Sequence, residues 1–76
     1  MHPLNYSIQD FEKLLKQKIS IIYKNYKNEN EEISGILTYV DHTNLGDIKP
    51  HSITLDLGRE ERTINIFDIE KINVLN

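Results

Sequence analysis

Short β-strand patterns fill most of this chain, and they constrain its fold more than any other feature. In "ISGILTYVDH" apolar and polar side chains alternate, as they do in a strand that buries one face. The loops between such runs are short enough to join antiparallel neighbours. The sequence therefore predicts about five antiparallel strands, over residues 18–26, 33–42, 53–57, 62–67 and 69–75.

A different spacing precedes the strands and predicts a helix over residues 7–16. Ser7 can cap its first turn, and Asp10 lies three residues further on, near the positive end of the helix. Apolar residues then recur at intervals of three and four, which places them on one helical face. These residues are Ile8, Phe11, Leu14 and Leu15.

Five strands in about 60 residues are too few for a two-layer sandwich, so we expect the sheet to curl into a small barrel. The helix would then cover one open end of the barrel. Gly35 lies within the longest strand, where a missing side chain permits a sharp bend. The chain has no cysteine and hence no disulfide. We expect residues 1–76 to form a single, mainly β domain.

The longest strand also resembles the first motif of the Sm-like proteins. The matching positions are Gly35, Leu37, Asp41 and Asn44. The resemblance implies an Sm-like (SH3-like) five-stranded bent antiparallel barrel with an N-terminal α-helix. It also implies assembly through edge strands, into a homo-oligomer or a hetero-complex. Phe67-Asp68 stands where the second Sm motif has an Arg-Gly pair, so the basic group that Sm proteins use around RNA is missing.

Two bacterial families are similar over longer tracts. Residues 12–73 resemble the YolD-like proteins, which implies a regulatory or accessory role beside DNA-repair polymerases and supplies no catalytic residues. The opening "HPLNYSIQDFEKL" is similar to the start of the Rof-like inhibitors of the termination factor Rho. That likeness implies the alternative of an inhibitor of transcription termination.

Charge is distributed unevenly along the chain. The net charge is −3, but residues 1–30 carry five lysines against three acids, whereas residues 31–76 carry nine acids against four basic residues. An acidic half can bind a basic protein surface. Our leading hypothesis is a small regulatory protein that docks onto a protein of nucleic-acid metabolism. The predicted contacts are Glu31, Glu32, Arg59, Glu60, Glu61 and Arg62.

A second hypothesis is binding of RNA or single-stranded DNA, because "KISIIYKNYKN" places tyrosines among lysines as a single-strand binder does. The simpler alternative is that Tyr23 faces the core and the lysines form a solvated strand face. The nucleic-acid hypothesis names Lys18, Lys24, Tyr26, Lys27, Asp41, His42 and Asn44 as contacts.

Catalytic and metal chemistry have little support in the sequence. His42, Asp47 and His51 could together approach a divalent metal, but zinc needs three or four convergent ligands and these lie across a predicted loop. Asp41 and Asn44 are more simply read as turn residues. We expect no enzyme activity, no cofactor and no metal. The chain shows neither a signal-peptide pattern nor a membrane-spanning run, so we expect a cytoplasmic protein without membrane contact.

Overall fold

A computed structural model describes residues 7–41 and 50–75 of the 76-residue chain. A short helix precedes five strands, all of which pair antiparallel in one open sheet with the order β4-β3-β2-β1-β5. The mainly β, antiparallel prediction is confirmed. The elements are α1 (Ile8–Glu12), β1 (Lys18–Lys24), β2 (Asn30–Asp41), β3 (Ser52–Asp56), β4 (Glu61–Asn65), a 3₁₀ helix (Ile66–Asp68) and β5 (Ile69–Val74).

The helix begins where the sequence predicts but ends earlier. Ser7 and Asp10 form a capping box, in which each side chain bonds the backbone N–H of the other residue. The predicted end at residue 16 is wrong, because α1 stops at Glu12 and Lys16 has a left-handed φ of 70°. The N–H of Lys16 donates instead to the carbonyl of Leu37, which directs the chain into β1.

Several strand ends differ from the predictions, and two of them differ because an asparagine side chain holds the turn that follows. β1 stops at Lys24 rather than residue 26, because the Asn25 side chain accepts from the N–H groups of Lys27 and Glu29. β4 stops at residue 65 rather than 67, because Asn65 caps the 3₁₀ helix in the same way. β2 starts three residues earlier than predicted, since its polar end still pairs with β1. The ends of β3 and β5 shift by one residue.

One hydrophobic core lies on the concave side of the sheet beneath α1. Phe11 is fully buried there, and Leu14 and Leu15 pack against the same cluster. A β-bulge interrupts the alternation at one residue in each of β2 and β5. The bulge residues are Thr38 and Glu70, which have no opposite residue in the register of the neighbouring strand. The buried hydrophobic residues of the strands are Ile19, Ile21, Tyr23, Leu37, Val40, Ile53, Leu55, Ile64, Ile69 and Ile72, with Ile66 from the 3₁₀ helix.

Gly35 is required by a close approach of two strands. A Cβ atom at this position would lie 2.5 Å from the Asp56 carbonyl oxygen and 2.9 Å from a Leu57 methyl carbon. Backbone cannot swing aside as a flexible side chain does. The missing side chain therefore lets β3 and the residue that follows it pass close to β2.

The sheet is strongly curled, as one long contact demonstrates. Register places Arg62 opposite Leu55, and Leu55 opposite Leu37 on β2. In a flat sheet Arg62 and Glu31 would lie about 22 Å apart, from strand spacings of about 4.8 Å and a rise of about 3.4 Å per residue. Their side chains nevertheless meet at 2.7 Å. Two extended side chains and the 2.7 Å contact between them span only about 15 Å from Cα to Cα, so the sheet must coil around the core.

No helix within the described residues is long and apolar enough to cross a membrane.

Candidate functional site: a groove above an arginine bridge

Arg62 joins three strands at one end of the curled sheet. Its Nη1 donates to Glu31 Oε2 at 2.7 Å and to Tyr23 Oη at 3.0 Å. Its Nη2 donates to Glu60 Oε1 at 2.9 Å, and the Tyr23 hydroxyl donates to the same Glu31 oxygen. We call these four residues the arginine bridge. It fixes β4 against β1 and β2, which β3 separates from β4 in the sheet order.

The bridge sets the protonation states of its members. The Tyr23 hydroxyl is the main cause of the lowered pKa of Glu31, and nearby Arg62 lowers it further. Burial is the main cause of the raised pKa of Tyr23, and its bond to Glu31 adds to the effect. Hydrogen bonding to Tyr23 and Glu60 raises the pKa of Arg62. At neutral pH the bridge therefore holds a charged carboxylate, a protonated phenol and a guanidinium.

A groove with a cavity of about 420 Å³ lies over the bridge. That volume falls within the range of protein sites that bind small ligands or single side chains. The groove separates the start of the β1–β2 turn from the end of β4 and the 3₁₀ helix. It is lined by Tyr23, Lys24, Asn25, Tyr26, Glu31, Arg62, Thr63, Ile64, Asn65 and Asp68.

Two aromatic side chains at or beside the groove are open to solvent. Tyr26, in the β1–β2 turn, is 92% exposed, and Phe67, between the lining residues Asn65 and Asp68, is 78% exposed. The Lys27 ammonium lies 5.6 Å from the centre of the Tyr26 ring, within the range of a cation–π contact. Large exposed rings beside a cavity are typical of surfaces that bind a partner.

The structure brings together only half of the residues predicted to bind a protein. Glu31, Glu60 and Arg62 meet in the arginine bridge. Glu32 is exposed on β2, where its carboxylate accepts a hydrogen bond from Ser20 at 3.3 Å. Glu61 is exposed and lies opposite Asp56 in the β3–β4 hairpin, whose turn contains the exposed Arg59.

The residues predicted to bind nucleic acid are also dispersed. Lys24 and Tyr26 line the groove, and Lys27 lies over the Tyr26 ring. Lys18, by contrast, pairs with Ile36 at the other end of β1, about 20 Å along the strand from Lys24. The lysines of the predicted lysine–tyrosine stretch are therefore divided between the two ends of β1.

The predicted polar cluster at the end of β2 falls largely outside the described residues, since His42, Asn44 and Asp47 belong to the segment 42–49. Asp41 is half-buried, and its Oδ1 has no hydrogen-bond partner among the described residues. The carbonyl of Asp41 accepts from the N–H of His51 at 2.8 Å. In residues 7–41 and 50–75, no group of three His, Asp or Glu side chains could hold a metal ion.

Sequence reasoning missed several groove residues. It weighed Tyr23 as a stacking ring or as a core residue, whereas the side chain is buried and its hydroxyl belongs to the bridge. It assigned Phe67 to a strand and gave no role to Asn65 or Asp68. The combination of asparagine and aspartate around Phe67 is a turn signal that could have indicated an exposed aromatic side chain.

Comparisons of the chain with models of protein families, with curated proteins and with solved structures found no match.

Proposed function

We propose that this chain is a non-catalytic regulatory module of Sm-like fold that docks onto a protein of nucleic-acid metabolism through its acidic half. Three features support the proposed barrel-type fold. The helix precedes β1, consecutive strands β4 and β5 lie at opposite edges of the sheet, and the sheet coils tightly enough for Arg62 to reach Glu31. The three-residue 3₁₀ helix between β4 and β5 keeps the two edges close at one corner.

The observation that carries the docking proposal is a pair of like charges across the β3–β4 hairpin. Asp56 and Glu61 are exposed and directly opposite each other in the register. Such a pair is unfavourable for folding, because the two carboxylates repel. A basic partner surface would remove this repulsion on binding. Arg59, in the turn of the same hairpin, adds a planar donor that could set the orientation of the partner.

The local charge favours a protein over a nucleic acid. Lys24, Lys27 and Arg62 lie at the groove, and Tyr26 offers a stacking surface. Carboxylates outnumber these cations, however, and they would repel a phosphate backbone. The carboxylates in or next to the groove belong to Glu29, Glu31, Glu60 and Asp68.

Charge reversal at Glu61 separates docking from folding. A lysine in Glu61→Lys would lie opposite Asp56, so the cross-strand pair becomes attractive and the fold gains stability. We expect this variant to melt above the wild type and to lose the partner that the tagged wild type captures from a nuclease-treated lysate. Glu70→Lys, an equal charge change at an exposed position of β5, is the matched control and should retain the partner.

The proposal fails if Glu61→Lys and Glu70→Lys capture the partner as well as the wild type does. It also fails if nuclease treatment removes every captured protein, because the contact would then be through nucleic acid.

A further inference from the structure

We propose that the groove above the arginine bridge holds an arginine side chain of the docked partner. This inference rests on the docking function proposed above and identifies the chemistry that the groove recognises. Its lining includes residues of β1, β2 and β4, and the curled sheet also brings the β1–β2 turn and the 3₁₀ helix to the same cavity.

The Tyr26 ring supplies the stacking surface. It is almost fully exposed and already has a cation, the Lys27 ammonium, at 5.6 Å from its centre. A guanidinium stacks flat on such a ring and is more weakly hydrated than an ammonium, so arginine is favoured over lysine. The Asn25 side chain accepts from two backbone N–H groups, which holds the backbone of the turn that carries Tyr26 beside the cavity.

Asp68 supplies the carboxylate on the opposite side. It lines the groove at the end of the 3₁₀ helix and is exposed to solvent. The Asn65 side chain accepts from the Phe67 N–H at 2.9 Å, which holds this turn in place. A carboxylate accepts a guanidinium through two parallel hydrogen bonds, a geometry that lysine cannot form.

The arginine bridge forms the floor of the groove, and its polar groups are already hydrogen-bonded to one another. Arg62 bonds Glu31, Glu60 and Tyr23, so these polar groups need no ligand to complete them. The cavity of about 420 Å³ leaves room for one long side chain with its neighbouring backbone. An arginine side chain therefore matches the groove in shape, in its flat stacking surface and in the charge of Asp68.

Loss of Lys27 should change the affinity of an arginine site and that of a nucleic-acid site in opposite directions. Its ammonium occupies the ring that an incoming guanidinium would use, and it repels that guanidinium. Removing it in Lys27→Ala should tighten arginine binding about two-fold. If phosphates bound here, loss of the same lysine would weaken binding. Lys71→Ala on β5, an exposed lysine outside the groove lining, is the matched control.

The test is an NMR titration of the ¹⁵N-labelled full chain at constant ionic strength. The probes are N-acetyl-arginine amide, its uncharged citrulline analogue, N-acetyl-lysine amide and a hexathymidylate. We expect saturable shifts of the Asn25, Tyr26 and Asp68 amides with the arginine probe, weaker shifts with lysine and none with citrulline. Tyr26→Ala and Asp68→Asn should each weaken arginine binding about three-fold or more. Tyr39→Ala and Glu70→Gln, exposed positions of β2 and β5, should not.

Three results would overturn the inference. The first is equal amide shifts with the arginine and citrulline probes. The second is arginine-induced shifts that Tyr26→Ala leaves unchanged. The third is hexathymidylate binding in the groove that is tighter than arginine binding and is lost in Lys27→Ala. The first two results leave the docking function untouched, whereas the third would also remove the charge argument for a protein partner. If Glu61→Lys still abolishes capture while the arginine probe fails, docking stands and the groove is not its anchor. If the probe binds but capture is insensitive to Glu61→Lys, the acidic hairpin is excluded instead.

Discussion

Gly35→Ala should destabilise the fold because two backbones pass too closely at this position. The new Cβ atom would lie 2.5 Å from the Asp56 carbonyl oxygen and 3.1 Å from the carbon of the same carbonyl group. An ordinary contact of this kind is about 3.4 Å, so the backbones of β2 and β3 must move apart by about 0.9 Å at the carbonyl oxygen. The nearby Leu57 methyl group can rotate away, but the carbonyl group of Asp56 cannot.

The expected size follows from two opposing effects. Forcing a methyl group into a packed region costs about 1–3 kcal/mol, and displacement of β3 puts Gly35→Ala near the upper end of that range. Replacing glycine also restricts the unfolded chain, which returns about 0.5–1 kcal/mol. The net loss of about 2 kcal/mol is a large part of the roughly 4–11 kcal/mol that a chain of this length has in total. It corresponds to a fall of about 8–16 °C in Tm.

Urea unfolding followed by far-UV circular dichroism measures this loss. Ser34→Ala is the control, because Ser34 is the exposed neighbour of Gly35 on the same strand. We expect Ser34→Ala to unfold near the wild-type midpoint and Gly35→Ala well below it. If the two variants share the wild-type midpoint and slope, β2 and β3 do not pass as closely as described, and the explanation for Gly35 is wrong.

Three further predictions concern the arginine bridge. In calorimetry Arg62→Met should lower Tm, because β4 loses its contact with Glu31. The control variant Arg59→Met, in the exposed turn, should leave Tm unchanged. Equal effects of the two substitutions on Tm would contradict the arginine bridge. The lowered pKa of Glu31 contributes stability that is present above its unfolded-state pKa of 4.5 and is lost as the pH falls through the lower folded-state pKa. Below pH 4.5 the Tm of Glu31→Gln should therefore fall less steeply with pH than the Tm of the wild type. Equal slopes of Tm against pH in the two proteins would refute this. The raised pKa of Tyr23 makes this phenol ionise above its ordinary value of 10.0, so the ultraviolet absorbance titration of Tyr23→Phe should lack a component that the wild type titrates above that value. Persistence of the component in Tyr23→Phe would contradict the assignment.

Local pattern was enough to predict the strands and the start of the helix. Ser7 and Asp10 lie close in the chain, so their capping box depends on only one turn of helix. Alternation along β1 likewise identified Ile19, Ile21 and Tyr23 as one buried face. These features depend on the direction in which successive side chains point, which the backbone geometry of one element determines.

Element ends and irregularities were harder to predict. The extra residues at Thr38 and Glu70 arise because a neighbouring strand bonds on either side of them, and nothing in the local sequence marks them. The helix was predicted too long because its apolar spacing continues to Leu15. The α-helix ends at Glu12, because the N–H groups of Leu14 and Leu15 donate only three residues back along the chain. The N–H of Lys16 then donates to the carbonyl of Leu37, which is distant in sequence.

The sequence by itself determined the class of fold, the buried faces and the uneven distribution of charge. Only the tertiary structure decided that Arg62 pairs with both Glu31 and Glu60, and that the exposed carboxylates of Asp56 and Glu61 lie opposite each other. It also decided that Tyr26 and Asp68 share one groove. The physical reason is the coiling of the sheet, which brings together side chains that a flat sheet would hold about 20 Å apart. That coiling depends on the packing of all five strands around one core, so no single stretch of sequence specifies it.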